Sequence, residues 1–256
     1  MLLAQTPPAS SWYPAWEEIA FLIGLGVAYV LAARRERPSL LRSALFFAGL
    51  VLALLAVVSP LATIAVHYLA SAHLLQNVVL AEWTPALLVL GLGPWVAEWV
   101  ARNPVTQTLT RPLVALPLWL ATYALWHVPV AYEAALDNRL LLDLEHLSYL
   151  LAGFFLWWSV FQDEPWLLPS GGKAAYLFAA FVLASPLGLL LALLPSPLYD
   201  TYVQAPRLWG LEPIEDQQIG GTLMAVSEAV VFFCLLAYFF VRFMAEEDAG
   251  YSHGDA

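Results

Sequence analysis

Long apolar runs occupy residues 16–33, 41–61, 64–92, 113–127, 140–161, 174–194 and 219–243, with short polar breaks between them. About 20 such residues cross a bilayer as one helix. In lipid the backbone must satisfy its own hydrogen bonds, which a helix does within one segment. The chain therefore reads as all-α: a polytopic membrane protein of seven transmembrane helices. The third run is too long for one straight crossing, and Pro85 is expected to break or kink it, because proline removes a helical hydrogen bond. A kink is also expected near Ser185-Pro186.

No polar stretch is long enough for a second, soluble domain. Only 12% of the residues are charged, about half the usual share of roughly 25%. One transmembrane domain over residues 1–243 and an acidic, disordered tail over 244–256 are expected. The net charge of −10 comes with no basic patch, so nucleic acid is excluded as a partner and the lipid bilayer is the surrounding phase. A single cysteine excludes an intrachain disulfide and any paired-cysteine site. The N-terminal Met1-Leu2-Leu3-Ala4-Gln5-Thr6 lacks a basic region and a long apolar core, so the first span is expected to direct insertion.

Basic residues orient the spans, because cytoplasmic loops concentrate Lys and Arg. With the N-terminus outside, the inner side holds Arg34, Arg35, Arg37, Arg42, Arg102, Arg111, Lys173 and Arg242, and the outer side only Arg139 and Arg207. The expectation is an external N-terminus and a cytoplasmic C-terminus.

This orientation gathers four of the five histidines in the outer leaflet: His67 and His73 on span three, His127 ending span four, and His146 two turns into span five. The fifth, His253, falls in the tail. Polar side chains inside a membrane are costly and mark sites, yet a lone histidine there is as readily a contact between helices. His73 and Asn77 share a helix face at four-residue spacing, with Gln76 on the adjoining strip. His67 is about 240° around the helix from His73 and cannot share its ligand. Glu145 points about 100° from His146, toward a neighbouring helix. Three neutral imidazoles, His73, His127 and His146, with the Met224 thioether at one depth suit copper better than a hard cation. Haem held by two opposed histidines ranks behind it. His67, Gln76, Asn77, Glu145, Asp216 and Gln217 are the supporting set. Glu82, beside Trp83, is either a proton relay or an acid near the Pro85 kink.

In order along the chain stand Ser59-Pro60, Ser71-Ala72-His73-Leu74-Leu75-Gln76, Pro85 with Leu87-Leu88-Val89-Leu90-Gly91, and Leu125-Trp126-His127-Val128-Pro129. Glu145-His146-Leu147, Gly153 with Trp157-Trp158, and Glu215-Asp216-Gln217-Gln218-Ile219-Gly220-Gly221 followed by Met224 complete the set. With these motifs, spans two to seven resemble the CtaG family of cytochrome c oxidase assembly factors, the seven-span bacterial type. The second histidine that the family motif usually carries one turn beyond the first is Asn77 here. The resemblance implies a multi-pass protein of the bacterial inner membrane, with oxidase subunits and other copper chaperones as partners. It implies copper insertion or subunit assembly for a haem–copper oxidase, a chaperone role rather than catalysis. The alternatives are a membrane oxidoreductase using haem or copper at the same histidines, which a Soret band would favour, and a copper permease, which metal uptake into proteoliposomes would favour.

Overall fold

A computed structural model of the chain describes residues 6–254, without the side chains of Glu36 and residues 250–254. His253 thus lies outside the described side chains, as do residues 1–5 of the N-terminal segment. Every regular element among the described residues is helical. Six helices are long and apolar enough to cross a membrane, or seven if the bent pair formed by Pro112–His127 and Pro129–Asp137 counts as one span. The all-α, multi-span expectation is met.

The first span, α1 (Trp16–Glu36), and the second, α2 (Leu40–Val58), are simple crossings. Ser39 caps α2, its hydroxyl accepting from the Arg42 N–H, which satisfies one of the free donors at a helix start. The expected third span is not one helix. Ser59-Pro60 ends α2 and opens the short α3 (Pro60–His67), and the chain breaks again at Tyr68-Leu69. The crossing itself is α4 (Ala70–Val78), a π-helical turn at Val79–Trp83, and α5 (Thr84–Gly91).

The irregularity expected at Pro85 is thus a widened turn just before it rather than a break. Pro85 has no N–H to give the carbonyl four residues back, Ala81, and its ring crowds that carbonyl. The wide turn relieves the crowding, and Trp119 Nε1 donates to the freed Ala81 oxygen at 3.2 Å. Single π turns of this kind recur at functional sites.

Two short helices, α6 (Pro94–Arg102) and α7 (Pro104–Leu109), follow at the arginine-rich end. Next come α8 (Pro112–His127) and α9 (Pro129–Asp137), bent by 73° where Val128 precedes a proline, a position biased away from helical backbone. Asn138 caps α10 (Arg139–Phe161). Pro186 sits within an uninterrupted α11 (Ser170–Leu193). The expected loop before the last span holds α12 (Asp200–Gln204), and the span begins earlier than expected, at Pro213.

The last helix, α13 (Pro213–Gly254), corrects the expectation of a disordered acidic tail. It runs on through Glu246-Glu247-Asp248. The Glu246 carboxylate accepts from Arg242 Nε and from Ser170 Oγ, each at 2.8 Å. The first bond is an i,i+4 ion pair that favours helix.

The α4–α5 crossing is the axis of the bundle. Within its apolar stretch 72% of residues are buried, against 50% in α10 and less in every other single-helix span. It packs against α2, α10 and α13, while α11 pairs with α13 and α8 with α10. Large apolar side chains such as Leu55, Phe178, Phe233 and Val241 face outward. A contiguous surface of that kind suits lipid rather than water.

Candidate functional site

The first turn of α4 has no capping side chain of its own, since Leu69 precedes it. Asp216 of α13 supplies the cap: its carboxylate accepts from the Ala70 N–H at 2.6 Å and the Ser71 N–H at 3.1 Å. A carboxylate there also meets the positive end of the helix dipole. Gln217 ties the same corner to the preceding connection, accepting from the Leu198 N–H at 2.6 Å and donating to the Leu191 carbonyl at 3.3 Å. Asp216 therefore fixes where α4 starts, and with it where His73 lies, while Gln217 fastens α13 to the end of α11 and the connection after it.

His73 and Asn77 share the expected face and meet the same atom. His73 Nε2 lies 3.2 Å, and Asn77 Nδ2 3.1 Å, from Glu145 Oε1 on α10. All three side chains are fully buried. Gln76, on the adjoining strip, turns away and donates to the Ala56 carbonyl of α2 at 2.9 Å. His73 packs on the Tyr132 ring of α9, with ring centres 4.7 Å apart.

His127 ends α8 near the same ring, with ring centres 6.3 Å apart. Its Nδ1 lies 2.7 Å from the Tyr123 carbonyl. A carbonyl only accepts, so Nδ1 carries the proton and Nε2 presents a lone pair. The Tyr149 hydroxyl stands 3.3 Å from the same Nδ1, and the Tyr199 hydroxyl donates to the His127 carbonyl at 3.2 Å. Tyr132 stacks on Tyr199 at 3.8 Å. Burial raises the Tyr199 and Tyr202 hydroxyls above their usual range, so these phenols stay neutral donors.

His146 follows Glu145 but faces the opposite way, toward α1. Its Nδ1 lies 2.7 Å from Glu18 Oε1. The two border a surface cavity of about 150 Å³ that Glu17 and Asp143 also line. The expected set of three histidines is therefore divided: His73 and His127 both pack near Tyr132, and His146 sits at a separate, mostly apolar cavity that also has Glu17, Glu18 and Asp143 in its lining. Met224 is fully buried with its Cβ against Gly188 in the α11–α13 seam. Half-buried His67 ends α3 against Tyr13, with ring centres 6.4 Å apart. Among the described residues no three His, Cys, Asp or Glu side chains stand together as a metal-binding group.

One pattern unites the three histidines. Each has one ring nitrogen bonded to a carboxylate or a backbone carbonyl, and each keeps the other nitrogen buried and without a partner: His73 Nδ1, His127 Nε2 and His146 Nε2. Metal-binding histidines are oriented in this way, the outer bond fixing the tautomer. The composition of the enclosure was not foreseen from sequence. Outside it, Glu228 is an acid within an apolar run and is as anomalous there as Glu82, so the run composition could have flagged it. Tyr123, Tyr132, Tyr149 and Tyr199 carry no such signal, because a tyrosine near a span end is ordinary.

A family model described as cytochrome c oxidase caa3 assembly factor (Caa3_CtaG) matches residues 26–246. No curated protein and no solved structure matches the chain.

Proposed function

The chain belongs to the cytochrome c oxidase caa3 assembly factors, and from that membership we propose that it handles copper for the oxidase it helps to assemble. The observation that carries this reading is the shared state of His73, His127 and His146, each with one nitrogen anchored and the other buried and unused. Imidazole nitrogens suit copper, and copper is here the cargo, passed on to oxidase subunits, rather than a reaction centre.

Glu145 holds His73 and Asn77 through one oxygen and leaves Oε2 without a partner. It is the negative charge that offsets a bound cation. The surrounding tyrosines are neutral and exclude water, so the site discriminates by ligand softness rather than by charge alone. The cavity beside His146, with Glu17, Glu18 and Asp143, is the entrance: carboxylates concentrate a cation at a mouth. The entrance faces the outside of a bacterial inner membrane, where other copper chaperones deliver and oxidase subunits receive. Asn77, in place of a second histidine, supports Glu145 and does not bind metal.

The test combines copper analysis of the purified protein after Cu(I) loading with the yield of assembled oxidase in cells. His73→Ala and His127→Ala are expected to lose bound copper and oxidase while the protein still accumulates in the membrane. His146→Ala is expected to slow loading more than it lowers the final content. Full oxidase assembly in both the His73 and His127 variants, or a Soret band in the purified protein, refutes the reading.

A further inference from the structure

A second polar cluster lies deeper in the bundle and contains no nitrogen ligand. Glu82, in the π turn, is fully buried 12 residues from the start of its span (82 − 70) and 9 from its end (91 − 82), so it sits near the bilayer middle, about 18 Å and 14 Å from the two ends at 1.5 Å per residue. Glu228 of α13 is likewise buried. None of the four carboxyl oxygens has a partner in hydrogen-bond geometry.

The elements that carry the two acids touch beside them. Trp83 Nε1 donates to Ser227 Oγ at 2.9 Å, joining the residues next to them. This bond brings the π turn and α13 together at the level of both acids. The Tyr123 hydroxyl of α8, buried and itself without a partner, stands beside the Glu228 carboxyl. Ser185 of α11 is there too, its hydroxyl donating to the Phe181 carbonyl. From α10, Tyr149 reaches Tyr123 at 5.9 Å between ring centres, and Gly153 passes the π turn without a side chain. No Lys, Arg or His pairs with either acid among the described residues.

An unpaired carboxylate in hydrocarbon is among the costliest groups a membrane protein can hold. Two carboxyls buried near one another without a cation lower their energy by sharing a proton rather than carrying two charges. We propose that Glu82 and Glu228 form a proton-binding acid pair in the middle of the bundle, separate from the nitrogen-rich site near its end. The hydroxyls of Tyr123 and Ser185 complete an all-oxygen surround. The π turn presents Glu82 to α13, and the Ala81–Trp119 bond and the Trp83–Ser227 bond lock that turn. This proposal does not depend on copper handling.

Infrared spectroscopy of the full-length protein in lipid vesicles at neutral pH tests it, with H₂O/D₂O exchange marking protonated carboxyls. The carbonyl stretch of a carboxylic acid is expected in the parent protein, shifted in Glu82→Gln and in Glu228→Gln, and lost when both acids are replaced by glutamine. Both variants are expected to melt at or above the parent, because glutamine is a neutral isostere of the protonated acid. His73→Ala is expected to leave the band in place. A spectrum without the band, or with the band unchanged in both glutamine variants, overturns the proposal. So does loss of folded protein in both, or one equivalent of sodium, potassium or a divalent ion that disappears with either acid, since each means ionised carboxylates held by another cation.

Discussion

Gly153→Ala isolates the contact on which the π turn rests. A Cβ at residue 153 would overlap the Ala81 carbonyl oxygen and come within 2.6 Å of Pro85 Cγ and 3.0 Å of the Ala81 carbonyl carbon. Two of these are backbone atoms and the third belongs to a rigid ring, so no side chain can rotate aside. Helix α10 must instead move away from the turn. Overpacking of this kind costs about 1–3 kcal/mol. The displacement also opens the Trp119–Ala81 bond, worth about 0.5–1.5 kcal/mol. Set against the gain of up to about 1 kcal/mol in helix propensity that alanine brings here too, and at roughly 2–4 °C per kcal/mol for a chain of this size, the melting point in detergent is expected to fall by a few degrees. Gly24→Ala is the control, because nothing lies within 4 Å of a Cβ there, and alanine gains up to about 1 kcal/mol in helix propensity. The two substitutions should therefore move the melting point in opposite directions. A Gly153→Ala protein that melts at or above the parent refutes the reading of the π turn as a packed, fixed element.

Asp216→Ala removes the acceptor for the Ala70 and Ser71 N–H groups and is expected to cost about 1–2 kcal/mol as a lost helix cap; the corner should loosen, seen as faster amide exchange in the first turn of α4. Reporters fused after Arg242 and inserted near Trp209 should lie on opposite sides of the membrane, the first cytoplasmic and the second external, and the reverse would place the acidic entrance inside. Burial lowers His67 from its ordinary value of 6.5, so the unfolded chain binds its proton more readily than the folded one. Stability from this group is present above that value and lost as pH falls through the lowered one; a thermal-shift series from pH 7.5 to 4.5, a range spanning the usual histidine value of about 6.5, should show less acid sensitivity in His67→Gln.

The all-helical, membrane-spanning class followed from the chain alone, because apolar runs long enough to cross a bilayer leave the backbone one local way to satisfy itself. The shared face of His73 and Asn77 was equally local, a consequence of 3.6 residues per turn. Helical periodicity says which residues share a face but not what stands opposite. That Glu145 takes both side chains of that face, while His146 beside it turns to Glu18 on α1, depends on how α10 is rotated between two neighbours. The turn at Val79–Trp83 likewise needs Pro85 together with Trp119 and the bare Gly153, residues separated by tens of positions. The last helix outran its apolar stretch because Ser170 and Arg242 hold Glu246. Glu82 alone stood out in the sequence, as an oddity within a span, and only packing α4–α5 against α13 gives it Glu228 as a neighbour: an acid in an apolar run is a property of one segment, but proximity belongs to the assembled bundle.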